Sequence, residues 1–139
     1  MIILDTNVIS EAMSSSPNVK VSNWLSTQNV SLLFTTTISL AEVLYGVELL
    51  PPGKRRDGLL ASAERMFTRL FAGRILVFND AAARAFAPIA IERRLRGRPI
   101  TIFDAQIAAI ARANVAPLAT RNTADFEGCG IRVVNPWLD

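Results

Sequence analysis

The chain opens on Ile2-Ile3-Leu4, a short, wholly apolar and β-branched run of the kind buried on both faces of a parallel sheet. It leads straight into Asp5-Thr6-Asn7, a polar turn suited to opening a helix. Further strands are predicted over residues 31–36, 75–78, 116–120 and, as a shorter fifth, 131–134. Pro136 limits that last one unless it lies at an edge. Helical spacing fills the intervals. Leu40, Val43, Leu44, Val47 and Leu50 share one face until Pro51-Pro52-Gly53 stops the run. Leu59, Leu60, Ala63, Met66, Phe67, Leu70 and Phe71 share another, with residues 51–56 reading as a helix–helix connection. A third helix is predicted over 80–96, kinked at Pro88, and an Ala- and Ile-rich fourth over 103–113. Strands alternating with helices predict an α/β fold, a parallel sheet of four to five strands covered on both faces. With 139 residues, no repeat and no linker, the prediction is one domain over 1–139.

Composition narrows the chemistry. Half of the residues are apolar and 19% are charged, which excludes a disordered scaffold. The net charge of +3 is compatible with a nucleic-acid partner without requiring one. There is no histidine, which removes Ser-His-Asp and Cys-His catalysis, His-liganded zinc and imidazole acid–base chemistry. Hydrolysis must then rest on carboxylates, with or without metal ions, or on Lys, Tyr or Ser. Cys129 is alone, so no intrachain disulfide forms, and a cytoplasmic location is expected. No apolar run approaches a membrane span, and no basic leader precedes the first one, so neither a membrane segment nor a signal peptide is expected. No phosphate-cradling glycine motif is present.

Acidic and amide side chains recur where predicted strands give way to helices, the end of an open parallel sheet at which sites form. Asp5 follows the first strand, Glu42 is expected in the first turn after the second, Asp104 starts the Ala-rich helix, and Asn122 and Asp125 follow the fourth strand. Each has a local explanation. Ser39-Leu40-Ala41-Glu42 matches a capping box, 101–104 and 122–125 are looser versions, and Asp5 is a possible N-cap. Capping does not require such residues to gather at one end of several strands, however. Gathered, they would repel one another unless cations neutralised them, and oxygen-only ligands suit Mg²⁺ or Mn²⁺. Such ions activate water and stabilise the leaving oxygen in phosphodiester hydrolysis.

Four stretches in order, Met1 to Ser10, Ser39 to Val47, Phe103 to Ala109 and Ala119 to Phe126, followed by Val134-Asn135-Pro136-Trp137, resemble the PIN-domain family. The resemblance is especially to the VapC and FitB toxins of bacterial toxin–antitoxin pairs, and it spans nearly the whole chain. It implies a PIN-like, Rossmann-like α/β fold and a Mg²⁺- or Mn²⁺-dependent endoribonuclease leaving 5′-phosphate and 3′-hydroxyl ends. It also implies RNA as substrate, inhibition by a cognate antitoxin, contact with operator DNA only through the antitoxin complex, and a homodimer. Carried over residue by residue, Asp5 and Asp104 are metal ligands, and Glu42 is a ligand or holds a water on the ion. Thr6 would orient the Asp5 carboxylate through its hydroxyl. Asn122 stands where some relatives carry a fourth acid, and Asp125 is the nearby charge that compensates or does not. The competing function is a regulatory module that joins an antitoxin on DNA and has little nuclease activity, for which Asn122 is the best sequence support.

Arg93, Arg94, Arg96 and Arg98 form a basic cluster, and Lys54, Arg55 and Arg56 a second. The two readings are a solvated helix end, where arginine complements the dipole, and phosphate contact with RNA. Tyr45 and Trp24 would stack on bases or, at their helical spacing, belong to the core. Ala105, Ala108, Ala109 and Ala113 would let a helix approach closely, within the monomer or across a dimer.

Overall fold

A computed structural model describes residues 1–139. Along the chain run β1 (Ile2–Leu4), α1 (Thr6–Met13), α2 (Val19–Thr27), β2 (Leu33–Thr36), α3 (Thr37–Glu48) and α4 (Lys54–Arg65). There follow β3 (Ile75–Leu76), α5 (Asp80–Leu95), α6 (Ile102–Ala113), β4 (Leu118–Ala119) and β5 (Val133–Val134). The five strands form one parallel sheet in the order β3-β2-β1-β4-β5. The pairs Ile2–Leu33 and Ile3–Leu118 place β1 at its centre.

Alternation along each strand divides the core in two. Ile3 and Leu118 face one side, where Ile89 of α5, Ile107 and Ile110 of α6 and Phe126 complete a fully buried cluster. Leu4, Leu33 and Ala119 face the other, against Val8 and Ile9 of α1, Val43 of α3, and Phe67 and Phe71. Ala105, Ala108 and Ala109 are buried, and Ala108 and Ala109 pack in the first cluster with Ala82 and Ile89 of α5, so close approach occurs within the monomer. No helix is long and apolar enough to cross a membrane.

Several predicted boundaries move, each for a local reason. Residues 30–32 form a 3-10 turn rather than the start of β2, because the Asn29 side chain accepts from the Ser31 N–H and hydroxyl. The connection before α4 ends at Gly53, and Lys54, Arg55 and Arg56 are the first turn of that helix. Beyond α4 the chain continues as one π turn, Met66–Leu70. Helix α5 runs through Pro88 without ending. Helix α2 has no long periodic run to announce it: only Val21, Trp24 and Leu25 mark its inner face, and Asn18 caps it by accepting from Lys20 N–H at 2.9 Å.

Candidate active site

The chain leaves β1 toward one face of the sheet and β4 toward the other, so a crevice opens between their carboxyl ends. Asp5 occupies it. Its backbone N–H extends the ladder to Ala119 O at 2.9 Å, which fixes the side chain at the mouth of the crevice. Oδ1 accepts the Thr6 N–H at 2.8 Å, and Oδ2 accepts the Thr120 hydroxyl at 2.7 Å and the Asn7 amide at 3.3 Å. Thr120 is itself held, accepting from the Asn7 side chain at 3.2 Å and the Asn122 N–H at 3.1 Å. The residue that orients Asp5 through a hydroxyl is therefore Thr120, not Thr6. Thr6 contributes only its N–H to Asp5, because its hydroxyl lies 2.8 Å from Glu42 Oε1 and 3.0 Å from Ser39 Oγ. One hydroxyl has one proton, so Thr6 donates to the carboxylate and accepts from Ser39.

Glu42 comes from α3, one turn later than the capping-box pattern suggested. Thr36 is the N-cap, accepting from the Ser39 N–H at 3.0 Å, so Ser39 is a buried first-turn residue and Glu42 falls in the second turn. That register turns Glu42 away from the helix end and toward Thr6. Asp104 sits in the first turn of α6, its N–H bonded to the capping Thr101 hydroxyl at 3.2 Å. Asn122 caps nothing with its side chain: the segment after it is a single 3-10 turn, Thr123–Phe126.

These elements bring Asp5, Glu42 and Asp104 into one cleft of about 470 Å³, whose lining also includes Thr6, Asn7, Ser10, Glu11, Arg121, Asn122 and Trp137. Burial pushes the Asp5 carboxyl up to about 6 against the hydrogen bonds of Thr120 and Thr6, and the charges of Asp104 and Glu42 add to the rise. Burial also raises Glu42 and Asp104. Thr6 opposes it at Glu42 and Thr101 at Asp104, while Asp104 repels Glu42 and Asp125 repels Asp104. None of the three forms an ion pair with a lysine or arginine. No three acidic groups close on a single point. The donor set fits a hydrated Mg²⁺ or Mn²⁺ resting on one or two carboxylates, rather than an ion caged by protein.

Asn122 is exposed and lines the cleft, whereas Asp125 is exposed on the 3-10 turn outside it. Glu11, Arg121 and Trp137 belong to the cleft and went unread in the sequence. Asn7, Ser10 and Glu11 form a polar stripe at helical spacing on α1, the signal that could have found the first. Glu11 also braces the turn into α2, accepting the Asn18 N–H at 2.6 Å.

The arginine cluster is mostly spent inside the molecule. Arg93 is buried and donates to the carbonyls of Arg98, Ala124 and Glu127 at 2.8, 3.2 and 2.7 Å, so it is unavailable to RNA. Arg98 pairs with Glu127 at 2.8 Å and lowers that carboxyl's pKa. Arg96 lies against Gly128, where a Cβ would come within 2.8 Å of its Nη1. Arg94 is exposed and has none of these contacts. Trp24 packs against the second core cluster, while Tyr45 is 69% exposed and does not belong to the core.

Comparison with known proteins places this geometry. The family model described as PIN domain matches residues 2–128. The chain is 42% identical over 137 residues to the plasmid stability protein StbB of Pseudomonas syringae pv. tomato, covering 99% of each chain. It is 39% identical over 139 residues to toxin FitB of Neisseria gonorrhoeae, covering all of both. It is 37% identical over 137 residues to VapC ribonuclease Y4jK of Sinorhizobium fredii, covering 99% of this chain and 98% of that one. The solved structure of FitAB bound to an IR36 DNA fragment aligns with a TM-score of 0.92 at 39% identity, over 99% of this chain and 96% of that one. Likeness along the full length, in sequence and in fold, makes the assignment plain: this chain belongs to the PIN-domain family.

Proposed function

We propose that the chain is a Mg²⁺- or Mn²⁺-dependent endoribonuclease and the toxin of a toxin–antitoxin pair. The observation that carries this reading is a buried, unpaired carboxyl, Asp5, at the switch point of the sheet, with Glu42 and Asp104 in the same cleft and no cation of the chain paired to any of them. A divalent ion bound there supplies the missing positive charge, activates water and stabilises charge on the leaving oxygen. The residues themselves position the reactants. Thr120 and the Thr6 N–H fix both Asp5 oxygens, and Oδ1 keeps acceptor capacity beyond its one protein donor. Thr6 fixes Glu42 through Oε1, leaving Oε2 as an acceptor for the proton of an incoming water. Departure of the 3′ oxygen from phosphorus gives 5′-phosphate and 3′-hydroxyl products.

The names of two relatives support the reading, since FitB is a toxin and Y4jK a VapC ribonuclease. The DNA-bound FitAB structure supports an antitoxin partner through which this chain reaches operator DNA, and a cytoplasmic site of action follows from an RNA substrate. RNA incubated with the purified chain should be cut in Mn²⁺ and spared in excess EDTA, and the new ends should carry 5′-phosphates. Mn²⁺ should also raise the melting temperature of the parent but not of Asp5→Asn or Asp104→Asn. Cleavage that persists in EDTA, or equal shifts in all three proteins, overturns the metal site. The competing reading, a DNA-associated regulatory module, draws on the neutral Asn122 in the cleft. It predicts that expression without antitoxin leaves growth unaffected, whereas a nuclease toxin arrests growth and Asp5→Asn relieves the arrest.

A further inference from the structure

The acidic cleft has one basic residue in its lining, Arg121, and that residue is held without being neutralised. Its guanidinium carbon lies 5.4 Å from the centroid of the Trp137 ring, a cation–π seat that restrains the side chain without consuming its N–H donors. None of those donors bonds to a protein acceptor, and no ion pair forms with Asp5, Glu11, Glu42 or Asp104. Both partners are anchored from behind. The Arg121 N–H donates to Asn7 Oδ1 at 3.1 Å, and the amide of the same Asn7 donates to Asp5 Oδ2, so Arg121 and Asp5 are registered through one side chain. The Trp137 N–H donates to Asn135 Oδ1 at 2.9 Å, which ties the ring's backbone into its own turn.

A planar fork of free donors is the group that grips phosphate in two-point fashion. A polyanion approaching four carboxylates also needs a positive foothold beyond any metal ion. We propose that Arg121, seated on Trp137, binds an RNA backbone phosphate next to the one that is cut, and that the pair sets how the strand lies across the cleft. The proposal deepens the nuclease reading and rests on it. Contact with phosphate positions the strand and carries no base preference.

The test measures binding and cleavage separately. Binding of a fluorescein-labelled, mixed-sequence, single-stranded RNA oligonucleotide is followed in an Asp104→Asn background, where the strand stays intact, across a range of salt. Arg121→Ala should weaken binding by about 5- to 10-fold and make the slope of log affinity against log salt shallower by about 0.7, the loss of one phosphate contact. Arg121→Lys should restore the slope and only part of the affinity. Trp137→Leu should keep the slope and lose affinity. With Asp104 intact, Arg121→Ala should raise KM with little change in kcat, and its Mn²⁺-induced melting shift should equal the parent's, which shows the fold and the acidic site unharmed. Parental affinity and slope in Arg121→Ala overturn the subsite while leaving metal-dependent cleavage by the parent as it was. Absence of that cleavage in the parent overturns the nuclease reading, and the binding series still reports on Arg121.

Discussion

Replacing Asp5 by Asn should make the metal-free protein at least as stable near neutral pH, although it removes a buried group with three hydrogen-bond donors around it. In the folded chain this carboxyl titrates at about 6 rather than 3.8, a difference of roughly 2 units, or ~3 kcal/mol. Its folded value is raised, so between these two values the native state binds more protons than the unfolded state. Stability therefore falls as pH rises through that window and the full penalty is present above it, the reverse of a salt-bridged aspartate. Asparagine has the shape of the neutral acid and cannot ionise. Its oxygen can keep the Thr6 N–H, which leaves its NH₂ facing Thr120 Oγ1, already the acceptor for Asn7 and the Asn122 N–H. Displacing one donor there costs roughly 1–3 kcal/mol. The net change at pH 7.5 is then a gain of about 0–2 kcal/mol, and below pH 4 a loss of about 1–3 kcal/mol. Urea unfolding followed by Trp fluorescence in EDTA, from pH 4 to 8, should show the two stability curves converging or crossing. Glu42 and Asp104 are present in both proteins, so the difference reports the Asp5 charge together with its repulsion from those two carboxylates. A difference that is flat with pH, or that turns against the variant as pH rises, refutes the reasoning.

Arg93→Met should destabilise the fold by roughly 2–4 kcal/mol in urea titrations, because three carbonyls lose a charged donor, while Arg94→Met should change little. Val115 has φ 50° just past the end of α6, in the left-handed region that a β-branched residue pays to enter, and the residue is 92% exposed. Val115→Gly should raise stability by about 1 kcal/mol and the melting temperature by a few degrees, and a lower melting temperature would show that the strain is not there. Asn122→Asp adds a charge to the cleft lining and should tighten Mn²⁺ binding by calorimetry, whereas Asp125→Asn, outside the cleft, should reduce RNA cleavage less than Asp104→Asn does. A folded Asp125→Asn protein as inactive as Asp104→Asn would reverse that ranking.

The elements and their alternation were legible because burial on both faces of β1 and β4 leaves unbroken apolar runs, and the stop at Pro51-Pro52-Gly53 is chemical. What was less legible depended on side chains reaching across the fold. Nothing local marks Thr120 as the partner of an aspartate 115 residues earlier. The pattern 39–42 reads equally well in two helical registers, and only the Thr36 hydroxyl on the Ser39 N–H decides between them. Arg93 looks like its neighbours in a basic run, and its burial follows from the packing of residues 124–127 against the end of α5. Asp5 could be read because its place directly after a strand follows from topology, whereas Asp104 follows helix α5 and no strand, and its local mark is the Thr101 cap that opens α6.

The seat that Thr120 makes for Asp5 bears on the order in which the ribosome releases this chain. Asp5 emerges first, Glu42 next and Asp104 well after, but the hydroxyl that orients Asp5 and the strand that walls the other side of the crevice come later still. A nascent chain released only as far as α6 already holds all three acids, yet β1 lacks one of its two neighbours and Asp5 lacks the Thr120 hydroxyl. The arrangement is completed only when β4 pairs beside β1, so a half-made polypeptide carries the three acids without the assembled cleft.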